Sequence, residues 1–194
     1  MNDAELFFSL GWHHIISSGA LDHILFITAL SAIYIFNDWK KVLILVTAFT
    51  IGHSLTLALS VYDVIRINGK LVEILIPCTI VITAVFNFFQ KKYTQKKIQL
   101  NYFFALFFGL IHGMGFANSI RFMLPKDENI AIPLLSFNIG LEAGQIVIVV
   151  SILLASYFFI TILHAPRKVW VYFLSGIALI ASLQMIVERL RSLE

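Results

Sequence analysis

The sequence predicts an all-α protein, a polytopic bundle of transmembrane helices. Three observations lead there. Of 194 residues, 59% are hydrophobic and 13% charged, where soluble chains run at roughly 45–50% and 25%. Mean hydropathy is +0.89 over the whole chain. The apolar residues also gather into stretches of about 20, the length that crosses a bilayer. Fourteen basic and eleven acidic side chains cannot form the polar shell of a water-soluble globule. This excludes a soluble enzyme, a disordered chain and a disulfide-stapled secreted domain. The one cysteine, Cys78, lies in the apolar run 74–80 and cannot pair within the chain. The net charge of +3 does not call for nucleic acid as a partner, because the basic residues sit at segment ends.

Six stretches qualify as spans: residues 20–36, 42–61, 71–89, 102–122, 132–163 and 169–187. The fifth is long enough for a tilted or kinked helix, or for a helical extension. Residues 4–18 are apolar but short and carry His13 and His14, which suits an interfacial or re-entrant helix; as a span they would make seven. The linkers are short, so residues 1–194 read as a single membrane domain. The acidic start has neither a positive n-region nor a small-residue cleavage site, and no removable signal peptide is expected.

Basic residues orient the spans. With the N-terminus outside, the inner face receives Lys40, Lys41, Lys91, Lys92, Lys96, Lys97, Arg167 and Lys168. The outer face receives Arg66, Lys70, Arg121, Lys126, Arg189 and Arg191. The cluster from Lys91 to Lys97 carries the assignment. The prediction is a multi-pass protein in contact with the lipid bilayer, with both termini outside.

Ionisable groups cost about 3 kcal/mol or more at the bilayer centre, so they tend to mark function. Here they recur in four blocks. These are Gly11-Trp12-His13-His14 with Asp22-His23, then Gly52-His53-Ser54, then Gly109-Leu110-Ile111-His112-Gly113, then Asn138-Ile139-Gly140-Leu141-Glu142-Ala143-Gly144-Gln145. Counting residues along each span places His14, Asp22, His23, His53, His112 and Glu142 between the midplane and the outer surface. One pocket open to the outside would collect them. Imidazole nitrogens with one or two carboxylates suit divalent transition metals such as Ni, Co or Zn. Ser54, Thr56, Asn138 and Gln145 are placed to support the ligands. Asp22 or Glu142 is placed to take a ligand imidazole N–H. Glycines at small-xxx-small spacing, Gly109 with Gly113 and Gly140 with Gly144, would let helices approach closely around the polar residues. His13 and His164 read as interfacial residues, Asn87 as a packing or capping residue, and the 18 Phe as lipid-facing bulk and core. His23 to His53 and His112 to Glu142 are both 30 residues, and Phe49-Thr50-Ile51-Gly52 echoes Phe137-Asn138-Ile139-Gly140. The counted depths argue against reading this as an inverted repeat.

These blocks resemble the HupE/UreJ family of small bacterial membrane proteins, described as nickel or cobalt permeases and accessory proteins. The likeness rests on Gly11-x-x-His14-Ile15, Gly19-x-x-Asp22-His23-Ile24-Leu25-Phe26, Thr50-x-Gly52-His53-Ser54-Leu55-Thr56-Leu57, the run from Phe108 to Ala117, and Phe137-Asn138-x-Gly140-x-Glu142-x-Gly144-Gln145. It implies a metal role for His14, Asp22, His23, His53, His112 and Glu142, and a place in the bacterial cytoplasmic (inner) membrane. The expected function is a divalent-metal permease. Two alternatives stand beside it. One is an intramembrane zinc-dependent hydrolase with Glu142 or Asp22 as general base, although the chain has no His-Glu-x-x-His motif. The other is a structural subunit docked to a membrane-protein partner or to a second copy of itself.

Overall fold

A computed structural model of the chain describes residues 2–90, 95–123 and 130–192. Among the described residues every regular element is helical: α1 (Asp3–Ile16), α2 (Leu21–Ser31), α3 (Trp39–Val61), α4 (Gly69–Phe89), α5 (Gln95–Met123), α6 (Ala131–Ser156) and α7 (Arg167–Arg191). The chain is an integral membrane protein built as a helical bundle. Four helical stretches are long and apolar enough to cross a bilayer alone: Phe36–Val61, Gly69–Phe89, Ala131–Ile162 and Arg167–Arg191.

The other two expected spans differ from the hydropathy reading. The stretch at 20–36 yields only α2, whose 11 residues reach about 16 Å. It meets the span criterion jointly with α1, across a bend of 66°. The start of α1 is set by a capping box: Asn2 accepts the Ala4 N–H at 2.8 Å and Glu5 accepts the Asn2 N–H at 3.3 Å. It ends where Ser17, Ser18 and Gly19, all weak helix formers, follow one another. Helix α1 buries Phe7, Gly11 and Ile15 in the bundle. In α5 the apolar stretch is Asn101–Phe116. The long fifth stretch is α6 followed by a wider, π-helical segment at Tyr157–Ile162.

Two glycine crossings hold the bundle. A Cβ at Gly11 would overlap the Phe137 carbonyl, and one at Gly140 would overlap the Phe8 carbonyl, so α1 and α6 touch backbone to backbone. The second crossing repeats this: Gly52 lies on the Leu106 carbonyl and Gly109 on the Phe49 carbonyl, joining α3 to α5. Both pairs are parallel, since Ile15 follows the first crossing to Gly144, and Gly113 follows the second to the His53 carbonyl. By contrast α3 and α6 are antiparallel. Leu45 and Val46 share a core cluster with Val149 and Leu153, Thr50 meets Gln145, and Leu57 shares a second cluster with Phe137 and Leu141. Helices α4 and α7 are antiparallel too, with Glu73 at Arg189 (3.1 Å) and Asn87 at Ser175 (3.0 Å). Thus α1 and α5, α3 and α6, and α4 and α7 form three antiparallel pairs of corresponding helices. The arrangement is that of an inverted repeat, with α2 added to the first half. The depth count argued against this because it compared His23 and His112 as equivalents, whereas the crossings equate His14 (Gly11+3) with His112 (Gly109+3).

The two apolar clusters lie at different levels. One contains Phe26, Phe49 and Phe108, and the other Leu57, Ile120 and Phe137. The intramembrane histidines fall between them. At one end, Arg167 donates to the Ile33 carbonyl and lies 3.9 Å from Asp38, which also pairs with Lys41 at 2.7 Å. This ties the end of α2 to the starts of α3 and α7. At the other end Asp63 pairs with Arg66, and Glu73 with Arg189. The side chains of Lys91, Lys92, Lys96, Lys97, Arg121 and Lys126, which dominate the orientation argument, lie outside the described residues.

Candidate metal centre

His14 comes from the last turn of α1, His23 from the first turn of α2 and His53 from the second half of α3. The break at Ser17–Ala20 is what sets the first two face to face, with ring centroids 4.8 Å apart. One ring nitrogen from each of the three lies within 4.8 Å of the others. His112, from α5, borders this group without being one of the three, its ring 5.0 Å from that of His23. Burial is near total: His53 is 0% exposed, His112 1% and His23 4%. His14 is partly exposed, so the group is buried on three of its four histidines.

The polar atoms explain why this cluster is unlike ordinary helix–helix glue. Nε2 of His14, His23 and His112, and both ring nitrogens of His53, are buried without a hydrogen-bond partner. Each such atom costs about 1–3 kcal/mol, so packing alone does not account for five of them at one point. Two rings have their tautomer set. Asp22 Oδ1 lies 2.9 Å from His23 Nδ1, and a carboxylate only accepts, so Nδ1 carries the hydrogen and Nε2 the lone pair. His112 Nδ1 donates to the Phe108 carbonyl at 2.9 Å, which again leaves a lone pair on Nε2. These are the partners that metal-binding imidazoles use to fix their orientation. With metal–nitrogen bonds of about 2.0–2.1 Å, ligand nitrogens in a tetrahedral site are about 3.4 Å apart. Separations within 4.8 Å therefore need only about 1.4 Å of closure. The residues fit a borderline divalent cation such as Ni²⁺, Co²⁺ or Zn²⁺ by donor type.

The remaining predicted site residues are placed differently. Asp22 is not in the three-nitrogen group; it supports His23. Glu142 lies away from the histidines, where Oε1 accepts a hydrogen bond from Thr47 at 2.7 Å on a partly exposed face. Gln145 accepts from Thr50 at 2.8 Å, and its Nε2 has no partner. Asn138 donates to the Leu134 carbonyl at 2.8 Å, and its buried Oδ1 lies beside the His53 imidazole, where the sequence placed it as a supporting group. Ser54 and Thr56 bond backbone carbonyls of α3 and so act on the helix rather than on the imidazoles.

Sequence reasoning missed the walls. Phe26, Phe49, Phe116 and Phe137 enclose the imidazoles; the Phe116 ring is 4.0 Å from that of His14, and the Phe137 ring stacks at 6.3 Å on His53. The signal was helical spacing. Phe49 precedes His53 by four residues, Phe26 follows His23 by three, and Phe108 and Phe116 flank His112 by four, so each ring shares its histidine's face. A low-dielectric box of this kind keeps water from the donors and strengthens charge–dipole contacts inside it.

No curated protein and no solved structure matches the chain. A family model described as HupE / UreJ protein matches residues 1–189, which takes in α1 to α6, nearly all of α7, and His14, His23, His53 and His112. The chain belongs to the HupE/UreJ family.

Proposed function

We infer that the protein is a permease for a divalent transition metal of the nickel or cobalt type, with His14, His23, His53 and His112 as the centre that grips the passing ion. The single observation that carries this is the convergence of unpartnered, buried imidazole nitrogens from four helices. The family, linked to nickel and cobalt handling, supports it. The chain is read as crossing the bacterial inner membrane six times, with α1 and α2 forming one broken crossing. Helix directions support this. A re-entrant α1–α2 would start α3 at the same end as α1 and make the two parallel, but α1 runs with α6 and α3 runs against it. The charge pattern puts the N-terminus outside.

Imidazole ligands bring no charge, and among the described residues Asp22 is the carboxylate beside them. A dication bound there is under-neutralised, which suits an ion that must leave again. The site lies where the two inverted halves meet, as substrate sites of such transporters do. The hydrolase alternative needs a carboxylate free to activate water at the metal. Among the described residues Asp22 is engaged by His23 and Glu142 by Thr47, so transport is the reading the geometry favours. The test is Ni²⁺ influx into liposomes holding the purified protein. We expect wild-type uptake, and uptake lost in His53→Ala and in His14→Ala. Equal uptake by all three proteins contradicts the assignment.

A further inference from the structure

Asp22 fixes the ring hydrogen of His23, and the Phe108 carbonyl fixes that of His112. His53 is more buried than either, yet both its ring nitrogens lack a hydrogen bond. Beside it stands Asn138 of α6, 8% exposed, whose Oδ1 is likewise buried without a bond. A ring with an unspent N–H and an amide with an unspent acceptor are complementary. One hydrogen bond between them relieves two buried polar atoms at once.

The amide has one orientation. Asn138 lies 2.8 Å from the Leu134 carbonyl, which only accepts, so Nδ2 belongs there and Oδ1 is the atom left for His53. The same rule then passes to the ring. An amide oxygen only accepts, so the nitrogen of His53 turned to Asn138 carries the hydrogen and the other holds the lone pair. One ring nitrogen of His53 lies within 4.8 Å of those of His14 and His23, where a lone pair is needed. The repeat gives α6 this part. Phe137-Asn138-Ile139-Gly140 corresponds to Phe49-Thr50-Ile51-Gly52, and both Asn138 and Thr50 bond the carbonyl four residues back. Where α3 then carries His53, α6 carries Leu141. Helix α6 brings no imidazole to the centre; it brings the acceptor that orients one.

We propose that Asn138 is a positioning residue of the metal centre: it fixes the tautomer of His53 and, as a neutral amide, keeps the grip on the cation loose. The proposal rests on the permease reading. The orienting groups are one carboxylate, Asp22, and two neutral oxygens, the Phe108 carbonyl and the Asn138 amide. A carboxylate behind an imidazole raises the ligand's basicity and tightens its hold on a metal. An amide orients the ring without adding charge. A second carboxylate at position 138 would match both charges of a dication, and in a low-dielectric box that added attraction is strong. Asparagine leaves the centre one charge short, which suits an ion that must leave.

Asparagine, aspartate and leucine are close in size, so the test exchanges chemistry at nearly constant shape. The full chain is used, in detergent for binding and in liposomes for influx, with Ni²⁺ as the probe. Asn138→Leu removes the acceptor and is expected to weaken Ni²⁺ binding about tenfold. Asn138→Asp supplies a charged acceptor and is expected to bind Ni²⁺ about tenfold more tightly and to carry it more slowly. A residue that only packs would move both variants the same way. The second readout is the nitrogen-15 spectrum of the metal-free protein labelled at histidine, with the His53 signals identified by their loss in His53→Ala. We expect one tautomer of His53 in the wild type and a mixture of two in Asn138→Leu. An unchanged tautomer in Asn138→Leu, or a Ni²⁺ affinity at or below wild type in Asn138→Asp, overturns the proposal. Neither result touches the permease reading, which fails instead if the wild type binds Ni²⁺ and carries none. Should the variants not fold, the wild-type spectrum decides: two tautomers of His53 in comparable amounts overturn the proposal.

Discussion

The two glycine crossings are built alike and used differently. At α1·α6 and at α3·α5, a glycine on each helix lies against the carbonyl of the residue three positions before its counterpart. A histidine follows three residues after the glycine in α1 and in α5. There the likeness ends. Helix α5 runs on unbroken past His112, whereas α1 stops two residues after His14 and the chain turns into α2. The broken half delivers a second histidine, His23, with its carboxylate partner Asp22; the continuous half delivers only His112, steadied by a carbonyl of its own helix. Symmetry provides the frame, and the departure from symmetry provides the ligand density.

The largest expected effect comes from breaking either crossing. Valine at Gly52 or Gly109 drives methyl groups into the facing backbone, which cannot yield as a side chain would. Overpacking of flexible cores costs about 1–3 kcal/mol, and here we expect more, with loss of folded protein on size-exclusion chromatography in detergent. Gly176→Ala is the control, since nothing lies within 4 Å of a Cβ there, and it is expected to elute and melt as wild type.

Next in size is the centre itself. His23→Ala and His53→Ala are expected to weaken Ni²⁺ binding at least about a hundredfold by isothermal titration, with the fold intact by circular dichroism. Asp22→Asn keeps the shape but removes the carboxylate that orients His23, and changes to such supporting groups typically cost about 10–100-fold in metal affinity. If Asp22→Asn binds as wild type, the broken half owes nothing to its carboxylate and the contrast between the halves weakens. The smallest effect is expected at Glu142→Gln. Its carboxylate meets Thr47 rather than the imidazoles, so Ni²⁺ affinity should not change; a collapse in affinity would place Glu142 at the ion after all.

Much of this was readable along the chain. Hydropathy located the four long helices, and ionisable residues at matched depth pointed to His14, His23, His53 and His112 as neighbours. Three things were not readable, each for a physical reason. The boundary near residues 18–20 was visible, but hydropathy could not show that the 20–36 stretch is α-helical only to Ser31 and meets the span criterion only jointly with α1. Glu142 shares the depth of the histidines but not their direction, and direction is set by the rotation of α6 against α3, which residue counting does not give. The phenylalanine walls were hidden by abundance, because 18 Phe in a membrane chain look like lipid-facing bulk until their spacing from each histidine is counted.

The account stands or falls on whether one ion is held by imidazoles from α1, α2 and α3. X-ray absorption at the nickel edge of the Ni²⁺-loaded protein tests this directly. The prediction is a nitrogen shell with the outer-ring scattering of at least three imidazoles, reduced by one in each of His14→Ala, His23→Ala and His53→Ala. An oxygen-only shell, or one unchanged by all three substitutions, would contradict it.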